Sequence, residues 1–260
     1  MLAIEGTEPF DDPGWLFEPK WDGYRALLVR EGGKTRLYGR SAELTERFPE
    51  LKALSPGEDL VLDGEVVGFK DGRQDLGALS ESGHTLAYVA FDLLRLGEEP
   101  LLSRPLKIRR ELLVEQVRPA ARLFVSPSLV GEGRRMFLWT AVHGFEGMMA
   151  KDLSSPYLPG VRSRAWLKFV HRSLWEVEIG EVRLSHGVLV AEVHEGGRRR
   201  GRVVLGRPSI DRRLLEDRRV VRERDVLRID PPLRARVAAR GITRDGYLRH
   251  PSFQGFLDER

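Results

Sequence analysis

Apolar residues in this chain fall mostly in short runs that alternate with polar ones, the pattern of strands burying one face or both. WLFEPKWDGYRALLVREGGKTRLYGR reads as short strands with a Gly-Gly turn at residues 32–33. DLVLDGEVVGF and TLAYVAFDLLRL are β-branched and apolar, as buried strands are. Helical spacing is rarer. ELTERFPEL is predicted to be helical up to Pro49. PLKIRRELLVEQV (105–117) reads as an amphipathic helix with proline suitably at its start, and GEGRRMFLWTAVHGF as another helix. EGMMAKDL and SRAWLKFV complete this part as strands. After His171 the texture changes. SLWEVEIGEVRL, GVLVAEVHE and RRGRVVLG read as alternating strands separated by turns. Such a segment suits a small β-barrel such as an OB-fold. The expected architecture is α+β, with a first domain of mixed and antiparallel sheets over residues 1–172 and an OB-like domain over 173–260.

Composition narrows the class. At 260 residues, 41% hydrophobic and 32% charged, the chain can bury two cores. No apolar run approaches the roughly 18 residues of a membrane span. The start, MLAIEGTEPFDDPGW, is acidic and broken by prolines, so no secretory signal is expected. There is no cysteine, which excludes disulfides and thiolate metal sites and fits a reducing cytoplasm. The six histidines form no HxxxH pattern. Charge is uneven: residues 173–260 carry 19 arginines, no lysine and 14 acids, a balance of +5. GGRRRGR (196–202), with Arg198, Arg199 and Arg200, and DRRLLEDRRVVRER (211–224) hold much of the excess. It reads as a solvated surface or as a polyanion-binding module.

Only seven of the 43 basic residues are lysines. Arginine stays protonated and is a poor nucleophile, whereas lysine can lose its proton, so retained lysines hint at chemistry. Lys20, Lys151 and Lys168 lie in three of five segments that place polar residues inside apolar stretches: EPKWDGYR (18–25), LDGEVV (62–67), YVAFDLL (88–94), EGMMAKD (146–152) and WLKF (166–169). Buried charge is costly unless paired or used, so five such interruptions suggest a shared polar pocket. Singly, each has a plainer reading. Lys20 with Asp22 suits a surface ion pair, Phe91 and Met149 suit a core, and Lys151 suits pairing with a neighbouring acid.

In this order, the five segments resemble the nucleotidyltransferase motifs of ATP-dependent DNA ligases. Lys20, Asp22, Gly23 and Arg25 match the lysine motif K-x-D-G-x-R. The likeness is strongest to the ligase module of bacterial end-joining ligases and spans nearly the whole chain. It implies a nucleotidyltransferase (adenylation) domain followed by an OB-fold, and a nick-sealing reaction with ATP and divalent magnesium or manganese. Lys20 would be the catalytic nucleophile that takes AMP, with Lys168 neutralising the α-phosphate. Glu18 would accept from the adenine amino group, with Phe91 and Met149 stacking on the base. Arg25 and Arg40 would meet the ribose and the nucleic-acid 5′-phosphate. Glu65 and Glu146, assisted by Asp63, would serve ribose and metal. The resemblance further implies a monomer acting on nicked duplex DNA in the cytoplasm, at the nucleoid, beside end-joining or repair proteins. An RNA-sealing or capping enzyme and a non-catalytic nucleic-acid-binding protein are the alternatives.

Two places depart from the pattern. The family's K-x-K has Val170 at its second lysine, leaving the α-phosphate site one cation short. Its R-x-D-K ending becomes Leu257, Asp258, Glu259 and Arg260. Only nineteen residues precede Lys20, so the N-terminal DNA-binding domain of larger ligases is not expected here.

Overall fold

The computed structural model describes residues 1–80, 84–206, 220–243 and 245–257. The chain divides into two compact units, Met1–Val170 and His171–Arg260. In chain order the strands of the first are β1 (Leu2–Glu5), β2 (Trp15–Pro19), β3 (Tyr24–Glu31), β4 (Lys34–Tyr38), β5 (Leu60–Lys70), β6 (Arg73–Gln74), β7 (Thr85–Leu96), β8 (Glu99–Pro100), β9 (Leu123–Val125), β10 (Leu129–Val130), β11 (Gly147–Asp152) and β12 (Arg162–Val170). Two helices, α1 (Leu106–Gln116) and α2 (Gly133–Val142), accompany them. No helix among the described residues is long and apolar enough to cross a membrane.

One sheet of the first unit runs β1-β12-β11-β2-β10, the other β4-β3-β5-β7-β8 with β6 and β9 on its flanks. Both are mainly antiparallel, with β1 parallel to β12 and β9 parallel to β7. In the first sheet, Leu16, Lys151 and Trp166 lie in one row, and Glu18, Met149 and Lys168 in the next row of that face. Opposed residues share a face, as do residues two apart, so these six face the same way. The intervening row of Phe17, Ala150 and Leu167 faces the other way and packs with Met136 of α2 and Phe169.

The second sheet is likewise two-sided. Ala26, Leu28, Leu62, Val66, Tyr88 and Leu93 enter the largest core with Leu113 of α1, leaving Arg25, Asp63 and Glu65 on the opposite face. The β5–β7 register slips between Asp63, which opposes Asp92, and Gly64, which opposes Ala90. Phe91 is the extra residue of this β-bulge. Phe91 and Asp92 thus both leave the core face, while Ala90 and Leu93 stay on it. Two motif glycines have steric causes. A Cβ on Gly23 would sit 2.1 Å from the Val66 carbonyl oxygen, and one on Gly64 would sit 2.5 Å from the Tyr88 ring.

ELTERFPEL is not an α-helix. Leu44 donates its N–H to the Leu37 carbonyl at 2.7 Å, and the Thr45 hydroxyl oxygen accepts from the Leu37 N–H at 3.0 Å. Those bonds tie the segment to the edge strand β4, and only a short 3₁₀ turn forms at Pro49–Leu51. In α1 the buried residues are Leu106, Arg109, Arg110 and Leu113, a regular helical face with two arginines in it.

The second unit holds β13 (Ser173–Ser185), β14 (Val188–Glu195), β15 (Arg198–Gly206), β16 (Val220–Glu223), β17 (Val226–Ala239) and β18 (Ser252–Phe256). They form an antiparallel sheet in the order β15-β14-β13-β17-β16, with β18 also on β17. Val177, Ile179, Val193, Ala235 and Val237 are among its core residues.

Candidate active site

The polar residues singled out from the sequence converge on the facing sides of the two sheets of the first unit. Lys20 leaves the end of β2, where its N–H donates to the Gly147 carbonyl at 2.8 Å. Its ammonium meets the Glu146 carboxylate in an ion pair. The chain neighbours of both partners are fixed as well. Trp21 packs edge-on against Phe145, centroids 5.1 Å apart, and its indole N–H donates to Ser126 Oγ at 3.0 Å.

From the opposite sheet, Arg25 forms a fork on Asp63, with Nε–Oδ1 at 3.0 Å and Nη2–Oδ2 at 2.6 Å. The Tyr157 hydroxyl donates to the same carboxylate at 2.8 Å. Asp63 is therefore engaged at both oxygens and anchors Arg25. Glu65 opposes Arg25 across the strand pair. Burial pushes its carboxyl up to about 8, against the pull of Lys20 and Arg25.

Beneath Phe91 lies a buried ionic group. Lys151 Nζ is 2.5 Å from Glu18 Oε1. It also lies 4.1 Å from the ring centroids of both Phe91 and Trp166. Burial lowers the Lys151 pKa, opposed by the carboxylates of Glu18 and Asp92. Glu18 Oε2 is buried and has no hydrogen-bond partner; Arg110 Nη1 lies 3.9 Å from it. Arg110 donates to the carbonyls of Phe91 at 3.1 Å and Ser126 at 2.9 Å. Arg109 forks onto Asp92 at 2.8 and 2.9 Å, with neither side chain exposed. The two α1 arginines thus grip β7 at the bulge. The apolar pattern of α1 conceals them, but their helical spacing from Leu106 and Leu113 was the available signal.

The remaining predicted residues are more open. Met149 is half-buried against the Phe91–Trp166 cluster. Lys168 is half-buried, with Nζ 3.8 Å from Glu5 Oε2. Val170 opposes Gly147 and shares the Lys168 face. Arg40 is exposed beyond the end of β4. Arg198, Arg199 and Arg200 open β15 in the second unit, where Arg199 and Arg202 share Glu192 and Arg200 pairs with Glu195. Residues 258–260 and 211–219, which carry the altered ending and part of the arginine excess, lie outside the described residues.

Lys20 paired with Glu146, Arg25 with Asp63, and Lys151 with Glu18 beneath Phe91 are the geometry of this site, and the sequence profile of the ATP dependent DNA ligase domain matches residues 3–169. The chain belongs to the ATP-dependent DNA ligase domain family. A multifunctional non-homologous end joining DNA repair protein, LigD of Mycobacterium tuberculosis, is 39% identical over 197 residues, covering 72% of this chain and 26% of the relative. This chain thus spans about a quarter of that protein's length. The SPbeta prophage-derived DNA ligase-like protein LigB of Bacillus subtilis is 30% identical over 266 residues, covering 98% of this chain and 97% of that one. Among solved structures, a mycobacterial DNA ligase D complexed with ATP and MES is similar with a TM-score of 0.64 at 30% identity, covering 100% of this chain and 94% of that chain. The fold is accordingly of the nucleotidyltransferase type found in ATP-dependent ligases, with many strands and few helices.

Proposed function

We propose that this ligase-family chain seals nicks in duplex DNA by passing AMP from ATP through Lys20 to the 5′-phosphate. In the first step the Lys20 amine, having lost a proton, attacks the α-phosphorus. A nitrogen–phosphorus bond forms as the bond to pyrophosphate breaks. AMP then moves to the DNA 5′-phosphate, and attack by the 3′-hydroxyl joins the strand and releases AMP. The observation that carries this reading is the pairing of Lys20 with Glu146 at the end of the strand whose Glu18, two residues earlier, holds a buried oxygen with no hydrogen-bond partner. Glu18 and Phe91 receive the adenine with Met149 across the base, Arg25 and Arg40 serve ribose and 5′-phosphate, and Lys168 faces the α-phosphate.

Glu65 and Glu146 suit a divalent ion. Glu65 is half-buried within the influence of Lys20 and Arg25, and no cluster of three acids or histidines occurs among the described residues. Magnesium is commonly held by one or two carboxylates plus substrate phosphates and water. Bound there, it would neutralise phosphate charge; Asp63 would act through Arg25. The antiparallel sheet of the second unit supports an OB-fold over 173–260, adjoining an adenylation domain over 1–172. Its surplus arginines, Arg198–Arg200 included, suit the DNA backbone. The LigD relative, named as a non-homologous end joining DNA repair protein, supports a role in end joining; such a role would bring repair proteins as partners and the nucleoid as the place of action.

The test is labelling by α-labelled ATP with magnesium or manganese. Wild-type protein is expected to acquire label and Lys20→Arg to acquire none, because arginine keeps the charge and loses the nucleophile. Undiminished labelling of that variant would remove Lys20 from the role.

A further inference from the structure

The proposed nucleotide seat leaves one lysine unexplained. Lys151 is fully buried and touches no position assigned to phosphate, ribose or metal. A buried lysine is costly unless its charge is used. Here the charge meets three groups: Glu18 Oε1 at 2.5 Å, the Phe91 ring and the Trp166 ring. Two of those three are the residues assigned to adenine. Arg110 completes the arrangement from the other side, holding the Phe91 carbonyl and lying 3.9 Å from Glu18 Oε2.

We propose that Lys151, aided by Arg110, is the positioning residue for nucleobase choice, pinning one Glu18 oxygen so that the other is a fixed acceptor for a 6-amino purine and repels a 6-oxo purine. The inference rests on reading this face as the nucleotide seat. A carboxylate between two cations accepts at both oxygens and donates at neither. The partnerless Oε2 therefore suits the N–H of an adenine amino group and opposes the carbonyl oxygen of hypoxanthine or guanine. Because the Lys151 ammonium sits against Phe91, the same residue fixes the stacking platform. With Lys151 removed, Glu18 can turn to Arg110, and the fixed lone pair is lost. The second observation is that Glu18 Oε2 and Lys151 Nζ are both buried without a hydrogen-bond partner, Arg110 meeting Oε2 only as an ion pair at 3.9 Å, an arrangement a folded chain rarely leaves unless a ligand group completes it.

The experiment compares ATP with inosine triphosphate in two ways: single-turnover covalent labelling, and equilibrium binding read from intrinsic tryptophan fluorescence. Wild type is expected to favour ATP. Lys151→Met should narrow that preference by at least about tenfold, since selection by a polar site is lost when its hydrogen-bonding group is displaced. The change should appear in half-saturating concentration more than in maximal rate, and Lys151→Arg should recover part of it. If the methionine variant fails to fold by thermal melting, Lys151→Gln, which can still hydrogen-bond Glu18 without charge, is expected to narrow the preference likewise. A wild type indifferent to the base, or a folded variant that loses both nucleotides equally, overturns the proposal. A wild type that binds ATP selectively but takes no label would instead defeat the ligase reading, while the binding ratio would still decide the role of Lys151.

Discussion

In the unit Met1–Val170, Arg109 meets Asp92, and Lys151 meets Glu18, with almost no exposure of any of the four side chains. In the unit His171–Arg260, the pairs of Arg199 and Arg202 with Glu192, Arg228 with Glu223 and Arg234 with Glu176 stay in solvent. The chemical consequence differs more than the sequence suggests. Buried pairs fix geometry, because a desolvated charge has few alternative partners. Exposed pairs are exchangeable, so an arginine can leave its glutamate for a phosphate at little cost. On the proposed reading, the arginines of these exposed pairs remain available to a DNA backbone although the net balance of residues 173–260 is only +5.

The sharpest way to break this contrast is Arg109→Met, which strands the Asp92 carboxylate. A cost of about 3–5 kcal/mol is expected, read as a lower denaturation midpoint for the first unit. Glu192→Gln should leave unfolding within the scatter of repeat measurements. Comparable destabilisation by the two changes would mean that burial does not separate the regions.

Val170→Lys probes the open side of the same pocket. Val170 shares the Lys168 face and opposes Gly147, whose carbonyl holds the Lys20 backbone. A cation there should speed adenylation from ATP more than sealing of a pre-adenylated nick, because only the former expels pyrophosphate. A preorganised charged group can contribute roughly 2.7–4 kcal/mol, so single-turnover rates of both steps are expected to resolve the gain. An unchanged adenylation rate would show that another residue already fills the place.

The smallest change is expected from replacing Arg198, Arg199 and Arg200 together with glutamine. Stability should hardly move, while the salt dependence of DNA affinity should flatten by about 0.9 in log–log slope for each phosphate that is no longer neutralised. An unchanged slope and affinity would make these arginines surface only.

Strand alternation located β2–β5, β7, β11, β12 and β13–β15 but neither β1 nor the C-terminal strands β16–β18, and the lysine motif pointed to the facing sides of the two sheets. The missing parts were those in which residue type contradicts position. ELTERFPEL has helical spacing, but its polar groups are claimed by β4, so a tertiary partner overrode local preference. Arg109 and Arg110 occupy core positions of α1 while Ile108 and Val114 are exposed, which an apolar pattern cannot reveal. Lys151 was legible only as the companion of some acid. That the acid is Glu18, with Phe91 over the ammonium, depends on the register of β2 with β11 and on the approach of the two sheets.

The extra residue at Phe91 also sets a reading phase for β7. A regular strand sends neighbours to opposite sides, yet here the adjacent pair Phe91 and Asp92 leaves the core together, one toward the proposed base and the other to Arg109. Removing Phe91 alone would leave Ala90, Asp92 and Leu93 in ordinary alternation, with no other side chain of the strand changing face. The irregularity is thus an insertion: it adds a side chain for the proposed base to a strand whose grip on α1, through Asp92, is complete without it.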